Sequence, residues 1–258
     1  MRSILCSFAI LTILPAFALT QQPAQPGANE QQMLGVVLKS WEDAMGKLDS
    51  FSATCTRTAE DKTFGGTDVY TGTAKFLRSG PKQPTRALLE MTSKKDPNKY
   101  EKFLYTGTWL YEWVPALKVL RAHEVPQPKA GQPAMDENIV ALLTGMTSAA
   151  AQQRYTMKWV PDKKDNNKYY HYIQIFPKAD KDKADFTEAR LVLTSKDFMP
   201  RQIWYHEPNG NTKTWDFQIT PNDKSVTAQV FTPPQTLPAK DWRFDVIRLQ
   251  QASAPPKK

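Results

Sequence analysis

The sequence predicts an α+β chain, mainly antiparallel β, and three observations carry that prediction. Met33, Leu34, Val37, Leu38, Trp41, Met45 and Leu48 recur at three- and four-residue intervals, the spacing that lines one face of a helix. From Phe51 the period drops to two, with Phe51, Ala53 and Cys55 alternating with Ser52, Thr54 and Thr56, as in a strand with one buried face. Beyond it, short apolar and aromatic runs are separated by Gly, Pro and Asn turns, the pattern of hairpin-connected strands.

The chain opens with Arg2, an apolar run from Ile4 to Leu19, and Ala16-Phe17-Ala18, so residues 1–18 read as a cleavable signal peptide. A membrane anchor is the alternative, but Pro15 interrupts a run already shorter than the ~18 apolar residues a spanning helix needs. Residues 19–28 read as a flexible leader rich in Pro and Gln, 29–248 as a single domain, and 249–258 as a disordered basic tail. Asn29 is placed to cap the first helix, with Gln32 completing the start, and the helix is predicted to run to about Leu48. Strands are predicted over 51–58, 68–79, 85–93, 102–115, 117–125, 155–160, 168–177, 189–195, 200–207 and 212–219. Thr106-Gly107 and the Pro115-Ala116 corner serve as turns. A helical stretch from Asp136 to Gly145 and a short helix over Ser148–Arg154 interrupt them.

Removal of the signal peptide takes Cys6 with it and leaves Cys55 as the sole thiol, so the mature chain holds no intrachain disulfide. Alternation places Cys55 inward as a small core residue. Asn209-Gly210 favours a two-residue type I′ hairpin, a register in which Trp204 faces Trp215, and Trp204, Trp215 and Phe217 share one sheet face.

Composition narrows the function. Lys and Arg number 34 against 26 Asp and Glu, a net charge of +8, but the charges are dispersed and no sustained basic run points to nucleic acid. The alternating charges from Lys178 to Asp185 read as solvated surface. His123, His171 and His206 lie on different strands without metal-ligand spacing. No nucleophile elbow, phosphate-binding Gly loop or Cys/His pair is present. The expectation is a non-enzymatic protein with no cofactor. What remains is apolar: Trp41, Phe51, Phe76, Leu89, Phe103, Leu110, Trp113, Trp204 and Trp215 either fill an ordinary core or edge a dry pocket between helices and a curved sheet.

The order of these motifs resembles the LolA-type periplasmic lipoprotein carriers and their relatives. The resemblance rests on the first strand at 48–58 after an amphipathic helix, the Gly-turn hairpin at 105–122, Leu142-Leu143-Thr144-Gly145 before a short helix, residues 173–179, the Asn-Gly hairpin at 207–219, and Val230-Phe231-Thr232-Pro233-Pro234-Gln235. It spans about Leu34 to Gln235. It implies a half-open curved β-barrel with helices covering the concave face, and a hydrophobic cavity for lipid acyl chains or a lipoprotein's lipid moiety. Tentative cavity residues are Trp41, Phe51, Phe103, Trp109, Leu110, Trp204 and Trp215. One departure is Arg86-Ala87-Leu88, which lacks the aromatics of the carriers. The expected protein is a periplasmic, monomeric carrier that makes transient contact with a membrane or membrane receptor. A non-enzymatic interaction or sensor module of the same fold is the alternative.

Overall fold

The computed structural model describes residues 28–78, 80, 84–126, 146–161 and 168–249. The signal peptide, most of the leader, the helical stretch from Asp136 to Gly145 and nearly all of the tail lie outside the described residues. Helix α1 (Ala28–Gly46) is followed by β1 (Ser50–Asp61), β2 (Gly66–Leu77), β3 (Arg86–Ser93), β4 (Tyr100–Tyr105), β5 (Trp109–Val114) and β6 (Val119–Glu124). Then come α2 (Ser148–Arg154), β7 (Tyr155–Val160), β8 (Tyr170–Pro177), the single turn α3 (Asp180–Lys183), β9 (Glu188–Thr194), β10 (Pro200–His206), β11 (Thr212–Pro221) and β12 (Arg243–Ile247).

All twelve strands join one curved, unclosed sheet in the order β12-β6-β5-β4-β3-β2-β1-β11-β10-β9-β8-β7. Every neighbouring pair is antiparallel except β12 and β6, which run parallel. Two arcs built from sequential neighbours, β1–β6 and β7–β11, meet at the β1–β11 seam, where Cys55 faces Phe217. The result is a half-open barrel with β7 and β12 as its free edges.

One core fills the helix-covered side of the sheet. Leu34, Val37, Leu38, Trp41 and Met45 of α1 pack with Phe51, Cys55, Phe76, Met91, Ile173, Ile175, Leu191, Leu193, Ile203 and Phe217. Leu38 and Trp41 are fully buried, each worth about 1.5–3 kcal/mol or more by area removed from water. Burial of the strands alternates, as the period of two predicts. On the opposite face Leu88, Leu104, Trp113 and Leu120 form a second cluster. Val226 and Phe231 cover it, carried by the chain as it returns after β11.

Four local readings change. The first helix already includes Asn29, one residue inside its start at Ala28, so Asn29 is not its cap. The run from Lys178 to Asp185 is not all solvated surface: Asp182 is 2 % exposed and takes two bonds from Arg154, Nε to Oδ2 at 2.9 Å and Nη2 to Oδ1 at 2.6 Å. That bond holds the Asp182 carboxyl below its usual range against the cost of burial, and it ties α3 to α2. A twelfth strand, β12, follows the Pro-rich stretch where none was predicted.

The fourth change is the β10–β11 hairpin. His206 faces Thr212, Trp204 faces Thr214 and Ile203 faces Trp215, one residue out of the predicted register. Glu207 donates its amide to Asn211 at 2.8 Å and Gly210 donates to Glu207 at 3.0 Å, which makes a three-residue loop with Gly210 at φ +90. This is a type I turn followed by a left-handed Gly. Pro208 dictates it: Pro has no amide to close a two-residue hairpin, and its fixed φ suits the first central position of a type I turn. A one-residue slip moves every side chain to the other face, so Trp204 and Trp215 lie on opposite sides of the sheet.

Candidate ligand-binding face

The inner face of the first arc can be followed in rows of cross-strand neighbours. One row runs Phe76, Ala87, Tyr105, Leu110, His123 and Ile247 across β2, β3, β4, β5, β6 and β12. The next runs Ala74, Leu89, Phe103, Glu112, Arg121 and Asp245. Both begin apolar beside the core; the second turns polar from Glu112 onward, and the first carries His123 before Ile247 at the open edge. Phe103 and Leu110 are half-buried and belong to neither packed cluster. At the polar end, Glu112 Oε2 lies 3.5 Å from Arg121 Nη1 and 3.5 Å from His123 Nε2.

A charged pair bounds the face nearer the seam. Arg57 donates Nη1 and Nη2 to the two oxygens of Glu101 at 2.7 and 2.6 Å, the bidentate geometry that fixes both groups. Its guanidinium lies over Tyr70, 4.5 Å from the ring centre, and 5.3 Å from that of Trp215. Burial pushes the neighbouring Tyr205 hydroxyl up in pKa. An inward Arg in phase with Phe51, Ala53 and Cys55 was the sequence signal for this pair, and it went unread.

The helices are held to each other at a cleft of about 460 Å³. Glu42, Asp43, Met45, Gly46, Lys47 and Arg78 line it together with Met146 and Thr147. Arg78 donates to the Met45 and Leu48 carbonyls at 2.7 Å each, satisfying acceptors that the end of α1 leaves open. Glu42 accepts from the Ser148 amide at 3.1 Å and its hydroxyl at 2.6 Å, capping the start of α2 alongside Thr147. Those bonds hold the Glu42 carboxyl below its usual range.

The structure distributes the seven predicted cavity residues over three places. Trp41 and Phe51 are core, Phe51 stacking on Phe76 with ring centres 5.1 Å apart. Phe103, Leu110 and Trp215 share the inner face, with Trp215 stacked on Phe217 at 6.2 Å. Trp109 and Trp204 lie on the outer face, since Trp109 alternates with Leu110 and Trp204 with Ile203. None of the seven lines the cleft at the end of α1. Among the described residues no group of His, Cys, Asp and Glu is placed to hold a metal ion, and no helix is long and apolar enough to cross a membrane.

No family model matches the chain, and no curated protein matches it. Solved structures do. The chain is similar to LolA-superfamily structures. A LolA superfamily protein from Nitrosomonas europaea is 11% identical at a TM-score of 0.34, the match covering 78% of this chain and 97% of that one. LprF from Mycobacterium bovis is 10% identical at 0.38, covering 81% and 98%. A chain of the Pseudomonas aeruginosa MucA/MucB complex is 9% identical at 0.40, covering 76% of this chain and 60% of that one. These are likenesses of fold at low identity, and no functional statement about this chain rests on them.

Proposed function

We propose that the protein is an exported, non-enzymatic binding protein that holds acyl chains, free or on a lipoprotein, against the inner face of its first arc. One observation carries the reading: Phe103 and Leu110 are apolar, inward on an unclosed sheet and, among the described residues, outside both packed clusters. An acyl chain laid along them would remove apolar area from water at about 25 cal/mol per Å². The Glu112, Arg121 and His123 group at the polar end suits a headgroup more than an acyl tail. The signal-peptide pattern of residues 1–18 supports the export in this reading.

The test is titration of delipidated protein with a fluorescent fatty-acyl probe, with thermal melts run alongside. Leu110→Asp should weaken binding about tenfold or more, because a carboxylate would be desolvated by the chain. Phe103→Ser should weaken it in the same direction. Trp204→Phe, on the outer face, should leave it unchanged. A wild-type protein that takes up no acyl probe sinks the proposal.

A further inference from the structure

Strand β12 ends the sheet with apolar side chains in water. Leu237, Phe244, Val246, Ile247 and Leu249 are 36, 50, 48, 46 and 47 % exposed. Among the described residues β12 has β6 on one side and no strand on the other. The Arg243 amide donates to the Lys118 carbonyl at 3.0 Å, and in a parallel ladder alternate residues turn their backbone groups to the same neighbour. Arg243, Asp245 and Ile247 therefore address β6, and the amides and carbonyls of Phe244 and Val246 point out of the free edge. An apolar edge of that kind is a template for another strand.

We propose that β12 pairs antiparallel with β12 of a second copy of this chain, centred on Phe244. A two-fold axis requires that one residue of the strand face itself. Centring on Arg243 sets two guanidinium groups opposite each other, and centring on Asp245 sets two carboxylates opposite each other; like charges directly opposite are destabilising. Centring on Phe244 puts Arg243 opposite Asp245 of the second copy on both sides of the axis. It also puts Phe244 opposite Phe244 and Trp242 opposite Val246. The outward backbone groups of Phe244 then fall in a hydrogen-bonded pair. Charge thus rejects the centres on Arg243 and Asp245, and of the two centres that hydrogen-bond the outward backbone at the axis, Phe244 and Val246, only Phe244 sets opposite charges across it. Within one copy Arg243 Nε already lies 3.5 Å from Asp245 Oδ2, so both side chains project on the same face of the strand. The sequence reading expected a monomer.

Sedimentation velocity on the mature chain at about 100 µM should show a dimer. Phe244→Pro removes the outward amide and leaves the ladder to β6 intact, since Pro is tolerated where the amide faces solvent; it should sediment as a monomer. Arg243→Asp should also give a monomer. Arg243→Asp combined with Asp245→Arg should restore the dimer, which a merely destabilised strand would not do. A monomeric wild type overturns the proposal, as does a dimer indifferent to the charge swaps. A monomer that floats with anionic vesicles overturns it too, and assigns the edge to a membrane surface.

Discussion

Cys55 is 0 % exposed, with Gly72 on one side and Phe217 on the other. Burial pushes its thiol up from 9.0 to about 11, partly offset by a backbone hydrogen bond. A raised acid pKa means that the unfolded chain releases its proton first, so stability falls as pH climbs from about 9 toward 11. The expected slope from this one group is up to about 1.4 kcal/mol per pH unit. Urea unfolding at pH 8, 9 and 10 should show that slope in the wild type and its loss in Cys55→Ala. Equal slopes would place the thiol in contact with water. Alternation alone was enough to read Cys55 as inward, because a strand beside a core has only two faces. Trp204 was misplaced by the same reasoning, since the face of a hairpin residue depends on its turn. The Asn-Gly pair outweighed Pro208 in the sequence, although Pro208 lacks the amide a shorter loop needs.

Among the elements, α1 and α2 share the apolar core and are tied by the Glu42 carboxylate. Glu42 serves as a second acceptor at the start of α2, and Glu42→Ala should cost about 1 kcal/mol, the usual value of a lost helix cap. Its pKa is depressed below 4.5 by the Ser148 bonds. The contribution is therefore complete above about pH 4.5 and fades as the pH falls through the lowered folded value. Chemical denaturation of wild type and Glu42→Ala should differ at pH 7, and the difference should shrink as the pH is taken progressively below 4.5. Gly210→Ala belongs to the same scale: at φ +90 it should cost about 1 kcal/mol, read as a lower denaturation midpoint with an unchanged slope. Long periodic elements such as α1 and β1 were legible because their apolar spacing is set by their own geometry. β12 was not, because Arg243-Phe244-Asp245-Val246-Ile247 is too short for its alternation to stand out after a Pro-rich stretch. It is a strand only because β6 offers it an edge. The Asp182 pairing was hidden for a related reason, its partner Arg154 lying on a different element.

For the whole molecule, the sheet depends on close approach at one glycine. A Cβ on Gly72 would sit 1.8 Å from the Glu90 carbonyl oxygen, on backbone that cannot step aside without opening the β2–β3 ladder. Gly72→Ala should cost about 3 kcal/mol or more, seen as a large drop in melting temperature or as failure to recover soluble protein. A wild-type melt would show that β2 and β3 can part there freely. The half-open outline and helix-covered face came only with the family resemblance, and the cavity residues could not be read at all, since membership of a face depends on register across five or six strands. The seam has one further consequence. β1 pairs with β11, so Phe51 must find Pro221, and the stretch from Thr212 to Leu249 supplies the seam, the cover of the outer cluster and the outermost strand. A chain emerging from its N-terminus can build each arc by local hairpins, but both stay raw-edged until the last part arrives, and loop closure of this length makes the joining step slow. Until residue 221 has emerged, the molecule is a client for whatever shields unpaired strands in its compartment.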